Sequence, residues 1–400
     1  MSELSYLEKL LDGVEVKWLP LGHIAAIKTG QSVNKNMISK NPGVYPVINS
    51  GREPLGFINT WNTDNDPIGI TTRGAGVGSV IWQEGKYFRG NLNYSITIDK
   101  KSHINIRYMY HALLHMKNDI HELCTFDGIP ALNAGSLKKL LIPIPCPDNP
   151  EKSLAIQSEI VRILDKFSAL TAELTAELSM RKKQYNYYRD QLLSFKEGEV
   201  EWKALGEIGE VRMCKRILKS QTSSEGEIPF YKIGTFGKEP DSYISRKLFN
   251  EFKEKYSYPK VGEVLISASG TIGRTVIFDG RESYFQDSNI VWIENNEKIV
   301  LNKYLFYFYK IAKWGISEGG TIKRLYNDNL RKLMIPVPFP DSPERSLVEQ
   351  QKIVKLLDKF DALTNSITEG LPREIELRQK QYEYYRDLLF SFPKPETVSN

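Results

Sequence analysis

Four side chains in one predicted helical stretch have the types and spacing of a metal site. His111 and His115 lie one helical turn apart, and His121 and Cys124 follow within the next three turns. Imidazole nitrogens and a thiolate are ligands that zinc takes in proteins. The pattern is therefore compatible with a zinc site. The alternative, which needs no metal, is that these are half-buried histidines of a helix.

Motifs for catalysis on DNA are interrupted. An amino-methyltransferase would carry an N/D-P-P-Y/F tetrapeptide, whereas the chain has NPGVY from Asn41. Gly74, Gly76 and Gly78 match a cofactor-binding glycine loop only weakly, and a GxxxxGK[ST] loop for nucleoside triphosphates is absent from the sequence. The stretch PDNPEK from Pro147 is too short for a metal-binding PD...ExK nuclease core. We therefore expect neither methyltransferase nor nuclease activity in this chain.

Composition describes an ordinary globular protein of 400 residues, of which 41% are hydrophobic. No window approaches the roughly 18 apolar residues of a membrane span, and the first twelve residues lack the apolar region of a secretion signal. The three cysteines have no CxxC spacing, which fits reduced thiols. We expect a cytoplasmic protein with at least two domains.

The chain contains an internal repeat. The segment LKKLLIPIPCPDNPEKSLAIQSEIVRILDKFSALT from Leu137 returns as LRKLMIPVPFPDSPERSLVEQQKIVKLLDKFDALT from Leu330. RKKQYNYYRDQLLSF from Arg181 returns as RQKQYEYYRDLLFSF from Arg378, with four extra residues before the second copy. Between these matches the copies differ in residue identity but keep a similar outline, including a glycine-rich turn in each. A repeated frame with divergent contents indicates two modules that do one task on different targets.

The repeat argues against both metal-dependent chemistries. The counterparts of His111 and His115 are Tyr307 and Ile311, so the second copy lacks the zinc ligands. Lys152 of the nuclease-like stretch becomes Arg345. A function shared by both copies therefore needs neither site.

Long helices are predicted after each proline-containing IPIP or IPVP segment. Apolar residues recur at 3-4 spacing, which is typical of a coiled-coil seam. The first copy supplies Leu164, Phe167, Leu174, Leu178, Tyr185, Tyr188, Leu192 and Phe195, and the second supplies Leu357, Phe360, Ile367, Leu371, Tyr382, Tyr385, Leu389 and Phe392. The N-terminal LEKLLDGVEVKW matches the end of the central helix, LLSFKEGEVEW, so the repeat is nearly cyclic and predicts an approximate two-fold axis.

These residues resemble a known family. The IPIP and IPVP segments, the glutamines Gln157 and Gln350, the IVRILDKF and IVKLLDKF stretches, and the two QYxYYRDxLL motifs are similar to the conserved regions of type I restriction-modification specificity subunits, called HsdS. The tandem TAEL of Thr171 to Leu178 and the two chain ends resemble the enteric IC branch in particular. The resemblance spans the whole chain in organisation.

The resemblance implies a mixed α/β fold with two globular target-recognition domains, joined by a pair of long antiparallel coiled-coil helices. It implies a non-catalytic subunit that reads a bipartite site in double-stranded DNA. Two adenine-methylating modification subunits and two restriction subunits would be its partners. S-adenosylmethionine, ATP and magnesium would be bound by those partners and no cofactor by this chain.

Five segments follow from the repeat. They are an N-terminal helix (1–19), a first target-recognition domain (20–142), a central helical spacer (143–203), a second target-recognition domain (204–335) and a distal helical spacer with the tail (336–400). The two domain segments each carry a net charge of +5, whereas the other three are slightly negative. Positive charge in the domains is what contacts to DNA phosphates need.

Polar residues beside predicted strands are the candidates for DNA contact, since bases are read by donors and acceptors on loops and phosphates are held by Lys and Arg. A solvated surface position is the alternative for each single Arg or Lys. In the first domain the candidates are Asn49, Arg52, Arg73, Arg89, Asn91 and Asn93, and in the second they are Lys215, Arg216, Lys232, Ser269, Arg274, Gln286, Lys323 and Arg324.

The tyrosine-rich ends of the helices are predicted to pack in the seam or to bind partner subunits, with base stacking as the alternative. The partner-binding candidates are Tyr185, Tyr188, Arg189, Tyr382, Tyr385 and Arg386. A duplicated protein-binding scaffold and a DNA-binding protein that acts without partners remain open as other functions.

The TAEL tandem predicts a spacing role. Four residues add about 6 Å and a net turn of about 40° to a helix. One DNA base pair advances about 3.4 Å and turns roughly 34°. One further TAEL unit is therefore expected to lengthen the preferred gap between half-sites by about one base pair.

Overall fold

The computed structural model describes residues 6–51, 53–196, 198–315, 324–366 and 368–393. The chain forms two compact units, one of residues 1–175 with 374–400 and the other of residues 176–373. Both units mix helices and strands, which confirms the predicted α/β class. Along the described chain up to the central helix, the elements are α1 (Tyr6–Leu11), β1 (Val16–Pro20), α2 (Leu21–Ile24), β2 (Ala25–Thr29), α3 (Lys35–Lys40), β3 (Pro42–Ile48), β4 (Phe57–Ile58), β5 (Thr63–Asp64), β6 (Ile68–Thr71), β7 (Val80–Trp82), β8 (Lys86–Arg89), β9 (Asn93–Ile98), α4 (Ile106–His115), α5 (Lys117–Glu122), β10 (Cys124–Thr125), β11 (Ala131–Leu132), α6 (Ala134–Leu137) and β12 (Leu141–Pro145).

The later elements repeat much of this order. They are α7 (Pro150–Leu192), β13 (Val200–Ala204), α8 (Leu205–Ile208), β14 (Gly209–Arg212), β15 (Ile228–Tyr231), β16 (Tyr243–Ile244), α9 (Arg246–Lys255), β17 (Val264–Ser267), β18 (Thr275–Ile277), β19 (Tyr284–Phe285), β20 (Ile290–Asn295), α10 (Asn302–Tyr309), α11 (Asn327–Arg331), β21 (Met334–Pro338), α12 (Pro343–Asn365) and α13 (Gly370–Leu389).

The central helix α7 is continuous over 43 residues, as the sequence predicts. Asn149 accepts a hydrogen bond from the Lys152 N–H at 3.1 Å, and Pro150 begins the helix. A side-chain acceptor before the first turn and a proline at the first position are both favourable at a helix N-terminus. Within the first unit Phe167 of this helix stacks on Tyr385 of α13 at 5.1 Å.

The second helical segment is broken where the four extra residues occur. Helix α12 ends at Asn365 and α13 begins at Gly370, whose φ of +74° is in the left-handed region that favours glycine. The backbone N–H groups of Thr368 and Glu369 point to the Ser366 hydroxyl, at 3.3 and 3.2 Å. Ile367 of the predicted seam lies outside the described residues.

Each domain contains a four-stranded antiparallel sheet and a second sheet built on two parallel strands. The antiparallel orders are β2-β9-β6-β7 in the first domain and β14-β20-β17-β18 in the second. The parallel pairs are β3 with β8 and β15 with β19. Equivalent strands of the antiparallel sheets therefore have the same neighbours in both copies, although few of their residues are identical. The parallel sheets differ, because β5 pairs with β8 in the first domain and β19 has no such second neighbour among the described residues.

The link between domain and helical frame is also repeated. Strand β1 pairs with β12 from Val16–Pro145 to Pro20–Leu141, and β13 pairs with β21 in the same register from Val200–Pro338 to Ala204–Met334. The hydroxyl of Tyr108 on α4 donates to the Pro143 carbonyl at 2.7 Å, and Tyr304 on α10 donates to Pro336 at 3.0 Å. The two domains thus attach to the frame through the same contacts.

A buried glutamine completes each link. The Gln157 Oε1 accepts the Asn105 N–H at 2.8 Å, and the Gln350 Oε1 accepts the Leu301 N–H at 2.9 Å. Both glutamines are 0% exposed, and their amide nitrogens donate to Ser153 and Ser346 on the preceding turn. The side chain therefore satisfies backbone groups at the start of the domain helix that would otherwise be buried without partners.

Charged pairs surround these links and explain the histidine cluster. His111 is buried, with Nε2 at 2.8 Å from Asp165 and Nδ1 at 2.8 Å from the Tyr382 hydroxyl. Burial lowers the pKa of His111 below its ordinary value. Burial alone would raise the pKa of Asp165, but hydrogen bonds from Arg107 and His111 outweigh it and lower that pKa. In the second unit the equivalent contact is Tyr307 to Asp358 at 2.7 Å.

The histidines therefore join helices of the first unit. His115 contacts Asp387 at 2.9 Å, and across the described ranges no cluster of three or more His, Cys, Asp or Glu residues has the geometry to hold a metal. The same ranges contain no helix long and apolar enough to cross a membrane.

Replacing Gln350 with Ala is expected to destabilise the protein by about 2 kcal/mol, because the half-buried Leu301 N–H and Ile299 carbonyl lose their partner. The neighbouring exposed Gln351→Ala is the matched control and should change the free energy of unfolding little. Urea unfolding of both variants measures the difference. Equal stability of the two variants would contradict the role given to the buried amide.

Candidate nucleic-acid interface

Three loops of the first domain meet at the ends of the parallel strands β3 and β8. Gly90 N–H donates to the Ile48 carbonyl at 2.7 Å, and Asn49 Oδ1 accepts the Leu92 N–H at 2.9 Å. The Leu92 carbonyl in turn accepts the Thr72 N–H at 3.0 Å, which attaches the glycine-rich turn of residues 72–79. The structure thus brings three of the predicted reading segments into one surface, called here the first loop cluster (residues 49–51, 72–79 and 90–92).

The glycine-rich turn has a geometry that other residues would strain. Gly78 has a φ of +77° and donates its N–H to the Thr71 carbonyl at 2.8 Å. Gly273 is its equivalent in the second domain, with a φ of +81° and a bond to the Ser267 carbonyl at 3.0 Å. Arg73 is exposed on the first of these turns, beside the Ala131 backbone. The Arg73 side chain is therefore accessible to a ligand from solvent.

Three of the predicted contact residues, Arg89, Asn93 and Asn49, are buried and instead hold the fold. Arg89 is 3% exposed, and its Nη1 donates to Asn93 Oδ1 at 2.6 Å and to the Tyr94 carbonyl at 3.1 Å. Its Nη2 donates to the Asp66 carbonyl at 2.7 Å and also contacts the Tyr87 hydroxyl. Burial lowers the pKa of Arg89 below its ordinary value.

Asn93 is fully buried beside Arg89, and Asn49 is 9% exposed with its Oδ1 on the Leu92 backbone. Side chains committed to internal hydrogen bonds cannot reach a base edge in this conformation, so Asn49, Arg89 and Asn93 are placed in a supporting role. Asn91 is exposed, as a reading residue should be, and Arg52 lies outside the described residues.

The second domain builds an equivalent cluster at the ends of β15 and β19. Gln286 N–H donates to the Tyr231 carbonyl at 2.9 Å, and Gln286 Oε1 accepts the Ile233 N–H at 3.0 Å. The Ser269 hydroxyl donates to Asn289 at 2.7 Å, which attaches the glycine-rich turn. The second loop cluster is defined here as residues 232–236, 268–274 and 286–289.

Cationic side chains line this second cluster. Arg274 Nη1 donates to the Phe236 carbonyl at 2.9 Å, and Arg324 Nη2 donates to the Ser288 carbonyl at 3.3 Å. Arg216 and Lys232 are paired with Asp287 and Asp241, while remaining 69% and 41% exposed. Such exposed pairs are weak and can exchange a carboxylate for a phosphate.

Two candidates of the second domain remain. Lys215 is exposed and its ammonium lies 5.1 Å from the centre of the Tyr256 ring. Lys323 lies outside the described residues.

The frame tyrosines divide into buried and exposed members. Tyr185 is 5% exposed, and burial raises its pKa to about 12. The Tyr382 hydroxyl is hydrogen-bonded to His111. Tyr185 and Tyr382 therefore each contribute to packing within their own unit. Tyr188 and Tyr385 are 44% and 38% exposed while they stack on Phe360 and Phe167.

Two exposed tyrosines were missing from the predicted partner-binding set. Tyr187 and Tyr384 occupy equivalent positions and are 61% and 64% exposed. Arg189 and Arg386, at equivalent positions nearby, each pair with the next residue, Asp190 or Asp387. The seam spacing selects the neighbouring tyrosines, whereas the outward face of the same motif carries Tyr187 and Tyr384.

Comparison with known proteins finds one family model twice in the chain. The family described as the type I restriction modification DNA specificity domain matches the chain twice, over residues 13–180 and 197–377. The chain is 50% identical to the protein S.HindORF215P of Haemophilus influenzae over an alignment of 399 positions that covers 97% of this chain and 98% of that protein. It is 43% identical to the type I restriction enzyme EcoR124I/EcoR124II specificity subunit of Escherichia coli over an alignment of 427 positions that covers 100% of both chains.

A solved structure shares the fold. The type I restriction-modification S subunit from M. genitalium matches 96% of this chain and 98% of its own length, with a TM-score of 0.59 at 18% identity. The chain therefore belongs to the family of type I restriction-modification specificity subunits, as its repeated motifs predict. Proteins of this family are DNA-recognition subunits rather than catalysts, in agreement with the interrupted catalytic motifs.

Replacing Arg89 with Ala is expected to lower the free energy of unfolding by about 3 kcal/mol, because several buried carbonyls and Asn93 lose a charged donor. The exposed Arg73→Ala should leave stability within about 0.5 kcal/mol of the original chain. Thermal unfolding of the two variants compares them directly. Unchanged stability of the Arg89→Ala protein would contradict the structural role given to Arg89.

Proposed function

We propose that this chain sets the DNA specificity of a type I restriction-modification complex, with the first domain reading one half of a split site and the second domain reading the other. The observation that carries this proposal is the pair of loop clusters, which stand at equivalent strand ends and present different side chains. Arg73 and Asn91 are exposed in one, and Arg274 and Arg324 line the other, where the Gln286 side chain holds the Ile233 backbone as Asn49 holds Leu92.

Chemistry supports a reading role for these clusters. Guanidinium groups pair with guanine or phosphate, and amide side chains pair with adenine. Identical attachment to the frame would present each cluster in the same way, while divergent loops would select different bases. DNA is therefore the partner that the net positive domains and their polar loops fit best.

We further propose that two modification subunits bind the repeated tyrosine surfaces of the frame. Tyr187 with Tyr188 and Tyr384 with Tyr385 form edge-to-face pairs with ring centres 5.4 and 5.3 Å apart. Exposed aromatic residues beside arginine are enriched at protein interfaces. Two copies of one surface fit two copies of one partner, and the restriction subunits, with the cofactors of methylation and cleavage, would complete the complex.

The experiment is to co-express the chain with modification and restriction subunits of the EcoR124I type and map methylated adenines in host DNA. One split motif with a fixed gap, present only with this chain, is the expected result. Sequence-selective binding by the chain alone would favour a protein that acts without partners. A stoichiometric complex that methylates no motif would favour a protein-binding scaffold.

Replacing Tyr187 and Tyr384 together with Ala is expected to weaken binding of the modification subunit at least about tenfold, since both exposed aromatic anchors are lost. Tyr326→Ala removes a similarly exposed tyrosine, 55% accessible, outside the frame and should not weaken it. Titration calorimetry with purified modification subunit measures both. Unchanged affinity in the double variant would place the partner elsewhere.

Inserting one TAEL unit after Leu178 is expected to lengthen the methylated gap by about one base pair, because the added rise and rotation match one step of DNA. Inserting only two residues turns the helix by about 200° and should abolish methylation of split sites. Methylation mapping of both variants gives the gap. An unchanged gap after the four-residue insertion would contradict the spacing role.

A further inference from the structure

A short hairpin of the first domain exposes two large apolar side chains. Strands β10 and β11 pair from Cys124–Leu132 to Thr125–Ala131. Phe126 is 51% exposed and Ile129 is 65% exposed at the tip between them. Neither side chain contributes to the apolar cores of the first unit as described. Stability of the domain therefore does not explain why these two positions are apolar.

The hairpin is fixed to the first loop cluster. The Pro130 carbonyl accepts the Gly74 N–H at 2.9 Å, and the Leu132 N–H donates to the Thr72 carbonyl at 2.8 Å. The Phe126 ring also packs at 4.7 Å from His121 on α5. A tip held in this way presents its side chains beside exposed Arg73 with little loss of conformational entropy on binding.

The second domain has different chemistry at the same place. The backbone of Ser269 on its glycine-rich turn forms an isolated β-bridge with Arg324, as the backbone of Arg73 does with Ala131. The Leu325 N–H donates to the Ala268 carbonyl at 2.8 Å, which matches the bond from Leu132 to Thr72. The position with these repeated backbone contacts therefore carries Ala131 in the first domain and Arg324 in the second.

We propose that the tip of this hairpin is a specificity-determining contact of the first domain, with Phe126 and Ile129 placed against base edges of the first half-site in duplex DNA. The proposal rests on the DNA-reading function proposed above and names the element that performs it. Apolar side chains contact the thymine methyl group in the major groove or wedge between base steps. Arg73, next to the tip, would hold a phosphate and fix the register.

Exposure of the two side chains makes the test clean, because Phe126→Ala with Ile129→Ala should leave folding intact. The matched control is Leu141→Ala, which truncates a side chain of 41% exposure on the frame strand β12. Each variant is assembled with modification subunits, and the adenine methylation motif is mapped. Binding is then measured by anisotropy on duplexes that carry single changes in either half-site.

The double variant is expected to lose about tenfold or more in discrimination at one or more positions of the first half-site, with the second half-site read as before. Leu141→Ala should read both half-sites normally. Unchanged discrimination at the first half-site, with a normal split motif in the original chain, overturns the hairpin proposal alone. Loss of complex assembly with discrimination retained would make the tip a protein contact and also overturn it. Absence of any motif with the original chain would instead remove the proposed function itself.

Discussion

The structure depends on one buried contact that occurs twice, the amide of Gln157 or Gln350 bonded to the backbone at the start of a domain helix. This contact, the antiparallel strand pair beside it and the tyrosine bond to a proline carbonyl attach each domain to the frame. Because these groups are buried and hydrogen-bonded to one another, a substitution at the attachment site of either repeat would leave polar atoms unpaired. The loops of the two loop clusters make none of these attachment contacts, so their residues can differ between the domains.

The contrast between the constrained attachment residues and the unconstrained loops explains what could and could not be predicted from the sequence. The frame residues are repeated almost unchanged, so helices, strand segments and family were evident from the motifs alone. Equivalent strand order within the domains was not evident, because β3 and β15 share an environment but few residues. Pattern matching also did not foresee the break before Gly370, although Pro372 and the glycine are local signals for it.

The reading residues were the hardest to predict, since polar type and loop position do not reveal burial. Arg89 and Asn93 have suitable chemistry, but they are buried and Arg89 donates to the Asn93 Oδ1 inside the domain, whereas Arg73 and Asn91 face solvent. The hairpin tip is not predicted from residue type for the opposite reason, because Phe126 and Ile129 are exposed but carry neither donors nor acceptors on their side chains. Surface exposure on a rigid support, rather than residue type, separates these cases.

The most direct test of the account replaces the first domain, residues 20–142, with a second copy of residues 204–335 in the same frame. Since the attachment contacts are equivalent, the transplanted domain should read its own half-site from the first position. The methylation map should then show a symmetric split motif made of two inverted copies of the second half-site. A stable complex that still methylated the original asymmetric motif, or an unrelated one, would contradict the claim that each domain reads one half independently.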